Sequence, residues 1–166
     1  MTPTCPVCSG DQFRATPVLW PELIAQWRLT PDEAAYIDRQ QGFHCVACGC
    51  NLRAMALAAA ITRAYGFGGD FRAFTQDRDC RHLRILELNP AGELTHLLAR
   101  MPGRVLASFP EVDMTRLPYP DASFDLVIHS DTLEHVPNPV QGLAECRPSL
   151  LPPAPAPSPS PSSSAA

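Results

Sequence analysis

Apolar and polar positions alternate differently in the two halves of this chain. The first half reads as helices. Trp20, Leu23, Ile24 and Trp27 recur at helical spacing and predict a short amphipathic helix over 21–28. Thr30-Pro31-Asp32-Glu33 carries a capping residue, a proline suited to the first turn and a capping-box glutamate, which start a second helix running to about Gln41. Asn51 can cap a third helix that the alanine-rich run from Met55 to Ile61 carries to about Tyr65, where Gly66, Gly68 and Gly69 stop it. The second half reads as strands separated by helices. Leu83–Leu88, Arg104–Phe109 and Phe124–His129 are short runs rich in branched apolar residues. Phe124–His129 is apolar enough for a strand covered on both faces. Glu93–Met101 places Leu94, Leu97 and Leu98 on one helical face. Asn138-Pro139 opens a last helix with Val140, Leu143 and Cys146 on its apolar side. Residues 70–82 read as surface connection. Only Pro110 and Glu111 lie between Phe109 and Val112-Asp113-Met114, too few for a crossover helix, so a third strand there is rudimentary or absent, or Val112 to Met114 continues an irregular edge. Strands alternating with helices predict an α/β fold with a parallel sheet.

Composition adjusts this outline in three places. A net charge of -4 argues against general binding of polyanions, which needs clustered Lys and Arg, and favours a small molecule or a protein over RNA as partner. The longest apolar run is far too short to span a bilayer, and no basic segment followed by an apolar core opens the chain, so a cytoplasmic protein with reduced thiols is expected. Residues 148–166 hold seven of the 19 prolines among Ser and Ala, with no charge, the composition of a disordered tail.

In such a compartment, closely spaced cysteines point to metal. Cys5-Pro-Val-Cys8-Ser-Gly10 and Cys45-Val-Ala-Cys48-Gly49 are two C-x-x-C knuckles, each followed by glycine. Two such knuckles supply the four thiolates of a closed tetrahedral zinc site, so Cys5, Cys8, Cys45 and Cys48 are the expected ligands. Cys50 in place of Cys48 is an alternative, and four buried, unliganded cysteines are another. The intervening insert is longer than a usual zinc-finger loop and must fold by itself.

Polar groups at the carboxyl ends of parallel strands are candidates for a ligand site. Ser130, Asp131 and Thr132 follow the Phe124–His129 strand, and Glu87-Leu88-Asn89-Pro90-Ala91-Gly92 forms the turn after the Leu83–Leu88 strand. The segment Leu117-Pro118-Tyr119-Pro120-Asp121-Ala122-Ser123-Phe124-Asp125-Leu126-Val127, with Leu133-Glu134-His135-Val136-Pro137 after it, closely resembles the fourth-strand motif of class I S-adenosylmethionine-dependent methyltransferases of the type 11 kind. The resemblance covers about residues 83–147 and implies a partial Rossmann-like domain. It also implies S-adenosylmethionine as cofactor and methyl transfer to an unidentified acceptor. The turn after the first strand is usually E-x-G-x-G in that family. Here it keeps Glu87 and Gly92 but has Asn89 and Pro90 where a glycine is expected. Carried over residue by residue, the cofactor-binding candidates are Glu87, Asn89, Gly92, Glu111, Asp113, Met114, Ser130 and Asp131, with Glu111 nearest the ribose and Asp113 nearest the adenine. For each an ordinary role exists: Glu87 capping nearby amides, Asp113 a solvated turn. His135 is the weak catalytic candidate, with ordering of its turn as the alternative.

The expected organisation is a zinc-ribbon-like lobe over 1–50, a linking helix and connection over 51–82, a partial methyltransferase domain over 83–147, and the tail. The family's helix continues into further strands, whereas here Glu145-Cys146-Arg147 gives way to proline-rich sequence. That break suggests a truncation, of the kind a reading-frame change produces, and leaves a strand edge open to self-association. The rival reading is a zinc-binding interaction module with a vestigial, non-catalytic domain. A nicotinamide enzyme is disfavoured because the turn lacks G-x-G-x-x-G.

Overall fold

The computed structural model describes residues 3–150. The helical first half folds around a small antiparallel hairpin that the sequence pattern does not signal. β1 (Phe13–Ala15) pairs with β2 (Phe43–Cys45), and the rings of Phe13 and Phe43 stack at 5.3 Å. Between them lie α1 (Pro21–Trp27) and α2 (Pro31–Gly42). The predicted capping box opens α2: Glu33 N–H donates to Thr30 Oγ1, and Thr30 N–H donates back to Glu33 Oε2. Gly42 is needed where α2 meets β1. A methyl group there would sit 1.8 Å from the Thr16 carbonyl oxygen. Gly42→Ala is expected to lower the unfolding free energy by about 1–3 kcal/mol through overpacking, read as a shifted urea midpoint.

α3 (Leu52–Ala64), capped by Asn51 as expected, leads into α4 (Phe71–Gln76). α4 corrects the expectation of a surface connection over 70–82. Phe71 and Phe74 are fully buried and stack on each other at 5.7 Å. Asp70 caps the helix, and its Phe71 and Arg72 N–H groups donate to the Pro6 and Val7 carbonyls of the first knuckle at 2.8 and 2.9 Å. Aromatic spacing over so short a stretch is not distinguishable from a loop in the sequence; the packing decides it.

The second half builds a three-stranded parallel sheet in the order β4 (Arg104–Ala107), β3 (Ile85–Leu88), β5 (Leu126–His129). The strands are shorter than the apolar runs that signalled them. The expected helix over 93–101 is a 3-10 turn at Gly92–Leu94 followed by the four-residue α5 (Thr95–Leu98), whose Leu97 and Leu98 are buried as the pattern required. No strand lies between β4 and β5 among the described residues.

The sheet divides the core in two. Ile85 and Ile128 face a cluster that includes Val7, Cys45, Met55, Phe71, Phe74 and Leu98. Leu86, Leu88 and Ala107 face Met114, Phe124 and Cys146. The first cluster is shared between the cysteine knuckles, α3 and the sheet, so the knuckles pack directly on the α/β unit. α6 (Pro139–Ser149) covers the second face and runs past Pro148, with Ser149 buried and Leu150 bridged to Phe124 in parallel. The helix thus continues through Pro148 and Ser149, the first residues of the expected tail. The rest of the expected tail lies outside the described residues. No helix among the described residues is long and apolar enough to cross a membrane.

Candidate functional site

The two knuckles fold alike. Ser9 N–H donates to the Cys5 carbonyl, and Gly49 N–H to the Cys45 carbonyl, each at 2.8 Å. Ser9 and Gly49 both take positive φ, 61° and 74°, which turns the chain sharply behind each cysteine pair. The four Sγ atoms of Cys5, Cys8, Cys45 and Cys48 lie within 4.8 Å of one another, with Cys5–Cys48 at 3.7 Å and Cys8–Cys45 at 3.6 Å. A zinc ion with Zn–S bonds of about 2.3 Å at tetrahedral angles sets neighbouring sulfurs about 3.8 Å apart, so this arrangement fits it. Cys50 is buried but does not belong to the set of sulfurs lying within 4.8 Å of one another, which argues against it as the alternative ligand. Burial pushes the Cys5 and Cys48 thiols up to about 12. At Cys45 burial acts the same way but is outweighed by donation from the Cys48 and Ala47 backbone and from Cys8, which brings it to about 7. Without a cation Cys5 and Cys48 hold their protons, so metal uptake displaces them.

The carboxyl ends of β3 and β5 lie side by side, with Leu88 opposite His129. Thr132 Oγ1 ties them together, donating to the Leu88 carbonyl at 3.3 Å and the Ser130 carbonyl at 3.0 Å. β3 lies between β4 and β5, so its crossovers leave in opposite directions, and a crevice opens at the tips. Two cavities occupy it. The larger, about 460 Å³, is lined by Leu88, Asn89, Val112, Asp113, Met114 and Val136 among others, with His135 at its mouth. The smaller, about 130 Å³, lies against the metal lobe and holds Gly92, Ser130 and Asp131 together with Arg53.

The eight cofactor-binding candidates separate accordingly. Asn89, Asp113 and Met114 line the larger cavity. Gly92, Ser130 and Asp131 line the smaller one. Glu111 is exposed and lies on neither wall. Glu87 also lines neither, because its side chain is entirely enclosed. Its Oε1 accepts from Ala91 N–H at 2.8 Å and Thr95 Oγ1 at 2.6 Å, and its Oε2 accepts from Arg104 Nε at 2.7 Å. Glu87 thus holds the turn in shape from within, the capping of nearby amides that the sequence reading kept beside a ligand contact. Both faces of β3 are packed, so all four of its residues are buried, and Glu87 lies on the same face as Ile85.

Asn89 accounts for the missing glycine in the turn. Its φ is 58°, in the left-handed region that asparagine tolerates better than other side chains. Its Oδ1 accepts from Phe109 N–H at 3.1 Å, which fixes the start of the segment after β4. Asp113 Oδ1 accepts from both Thr115 N–H and Thr115 Oγ1 at 2.8 Å, and these bonds hold its carboxyl below the usual range. It is therefore an ionised acceptor at the cavity edge. His129 is half-buried beneath the crevice, and burial lowers its pKa against an opposing effect of Glu134. Phe109, Val112 and Val136, which line the larger cavity, were given no part in the site from the sequence because apolar residues just past strand ends look like ordinary core. Arg53, which pairs with Asp131 across 78 positions of sequence, gave no signal at all.

A family profile described as "Methyltransferase domain" matches residues 64–153, from the end of α3 through α6. No curated protein and no solved structure matches the chain.

Proposed function

Because this chain belongs to the methyltransferase domain family, we propose that it binds S-adenosylmethionine in the larger cavity and transfers its methyl group. The observation that carries this reading is the chemistry of that cavity. Val112, Met114 and Val136 offer apolar walls to a flat heterocycle, and the ionised Asp113 carboxylate can accept from an exocyclic amino group. A volume of about 460 Å³ lies within the range of small-molecule sites. S-adenosylmethionine supplies a methyl group already activated on a positive sulfur, so the chain's contribution is chiefly to orient and to exclude water. Asn89 and Thr132 fix the two strand tips between which the reacting centre would lie. His135, exposed at the mouth, is retained as the candidate base for an acceptor that needs one. Zinc in the four-cysteine site would be structural, because all four positions are filled by protein sulfurs and none is left for a substrate.

Calorimetry tests the reading. S-adenosylhomocysteine is expected to bind once per chain. Asp113→Asn is expected to weaken it about tenfold, the equivalent of one charge-assisted hydrogen bond. Absence of heat with the intact, zinc-loaded chain would instead favour the zinc-binding interaction module. That rival draws support from the half-exposed Trp20, Trp27 and Tyr36 on the helical insert.

The reading includes a cytoplasmic setting and self-association. β4 has no partner on its outer edge among the described residues, and its Val105 and Leu106 are 39% and 41% exposed. On the outer side of β5, among the described residues, there is only the single bridge from Leu150 to Phe124 just ahead of the strand. Open apolar edges of this kind pair between copies. Light scattering is expected to show a mass above the monomer that falls when Leu106 is replaced by lysine, and a clean monomer would refute this.

A further inference from the structure

The helical insert of the metal lobe has a fixed shape but almost no core. Only Arg28, Leu29 and Thr30 join α1 to α2, and Arg28 turns the chain with a φ of 54°. Hydrogen bonds fix α1 at both its ends. Leu29 N–H donates to the Ile24 carbonyl at 3.0 Å, and just ahead of α1 the Val18 and Leu19 N–H groups donate to Asp38 Oδ1 of α2 at 2.7 and 3.1 Å. Even so, α1 buries no residue and α2 buries only Ala34 and Gly42. Trp20, Trp27 and Tyr36 are each more than half exposed. Large aromatic side chains left uncovered together on one hairpin mark an interaction surface.

At the turn of this hairpin lies an open groove of about 390 Å³, lined by Leu29, Asp32, Glu33, Tyr36 and Ile37. The last four fall on one face of α2, a helical turn apart in pairs. Leu29 and Ile37 are half-buried and make an apolar floor, while the exposed Asp32, Glu33 and Tyr36 make the rim. Glu33 accepts from the Thr30 N–H and hydroxyl, each at 2.8 Å, which keeps its carboxyl below the usual range and therefore ionised. Asp32 has no hydrogen-bond partner among the described residues, and no basic side chain lines the groove. Across residues 17–42, the four carboxylates of Glu22, Asp32, Glu33 and Asp38 face two guanidiniums, Arg28 and Arg39, a formal charge of -2. Half of the chain's net charge of -4 therefore sits on this insert.

That charge decides among occupants. A nucleic acid or an anionic lipid surface meets repulsion at both carboxylates. A second copy related by a two-fold axis presents the same patch and sets carboxylates against carboxylates. Residues 151–166 of this chain have no cation to offer. We propose that the groove docks a basic, apolar peptide segment of another protein. Its aliphatic or aromatic side chains seat on Leu29 and Ile37, and its arginine or lysine groups pair with Asp32 and Glu33 and stack on Tyr36. The groove shares no lining residue with either cavity at the strand tips, so the proposal stands independently of the methyl-transfer reading.

Trp20 and Trp27 are the only tryptophans of the chain, so its intrinsic fluorescence reports on this hairpin. The test uses the full, zinc-loaded chain and three probes: a short synthetic peptide alternating arginine with leucine, its counterpart with glutamate in place of arginine, and phosphatidylserine vesicles. The arginine peptide is expected to shift the tryptophan emission saturably and to move the Leu29, Tyr36 and Ile37 amides in NMR spectra. The glutamate peptide and the vesicles should leave both in place. Asp32→Lys is expected to weaken the arginine peptide about fivefold, as reversal of one exposed charge allows, and to strengthen the glutamate peptide. Opposite changes for the two peptides cannot come from misfolding. Tyr36→Ser is expected to weaken the arginine peptide at unchanged zinc content. The proposal is overturned if the two peptides bind alike, if Asp32→Lys leaves the arginine peptide unaffected, or if the vesicles shift the emission. An emission change with protein concentration alone would assign the surface to a second copy and overturn it too, as would no response to the arginine peptide at high micromolar concentration.

Discussion

Replacing Glu87 by alanine is expected to lower the unfolding free energy by about 3–5 kcal/mol, the range for removing one partner of a buried ion pair. Its carboxylate has no exposure and closes three hydrogen bonds, while Arg104 Nη2 lies 2.6 Å from Oε2 in an ion-pair contact beside the aligned Nε bond. The Arg104 side chain is only 14% exposed, so the substitution strands its charge as well as the Ala91 N–H and the Thr95 hydroxyl. Glu87→Gln keeps one acceptor oxygen and the shape, and is expected to fall between alanine and the natural chain. Combining Glu87→Ala with Arg104→Leu should recover part of the loss, because no charge is then left alone. Urea unfolding followed by circular dichroism reads all three. A loss below about 1 kcal/mol for Glu87→Ala would mean that the pair contributes no more than an exposed one.

The larger effect is expected from the metal site. Elemental analysis should find one zinc per chain, and Cys45→Ser should lose it together with amide protection across residues 3–50. Binding of structural zinc is worth about 10–16 kcal/mol in isolated finger peptides at neutral pH, as much as the whole stability of a typical domain. Little else holds the two knuckles at their observed separation: each hairpin strand is three residues long, and α1 has no buried residue. The damage should not stop at the lobe. The Pro6 and Val7 carbonyls anchor the first turn of α4, and Phe71 and Phe74 share a core with Ile85 and Ile128 of the sheet. A chelator should therefore lower the melting transition of the whole chain. Cys80→Ser, outside the cluster, should keep both zinc and fold. Full zinc content and an unchanged transition in Cys45→Ser would exclude the four-cysteine assignment.

These two expectations differ in how far they could be read in advance. The four-cysteine cluster was legible because cysteine chemistry is local: two residues between thiols, a glycine behind them, and the pattern repeated. Glu87 was legible at its place but with two roles open, a ligand contact or the capping of nearby amides. Its place at a strand end pointed to a ligand contact, whereas the inward turn of that position and the arrival of Arg104 from β4 made it an internal staple. Asn89 shows the reverse case. As a letter it departs from the glycine expected there; as a backbone conformation, at φ 58°, it does not.

Local pattern alone determined the three strands, the capped helices, the cysteine quartet and the Leu117–Pro137 resemblance, because each depends on residues close together along the chain. The tertiary structure decided what depends on partners far apart in sequence. It made α4 a core helix through Phe71 and Phe74, joined the metal lobe to the sheet through a shared core, and divided the cofactor-binding candidates between two cavities. It also brought Arg53 to Asp131, a meeting that requires the knuckle, α3 and the tip of β5 all to be in place, since neither residue's neighbours in the chain carry any trace of the other.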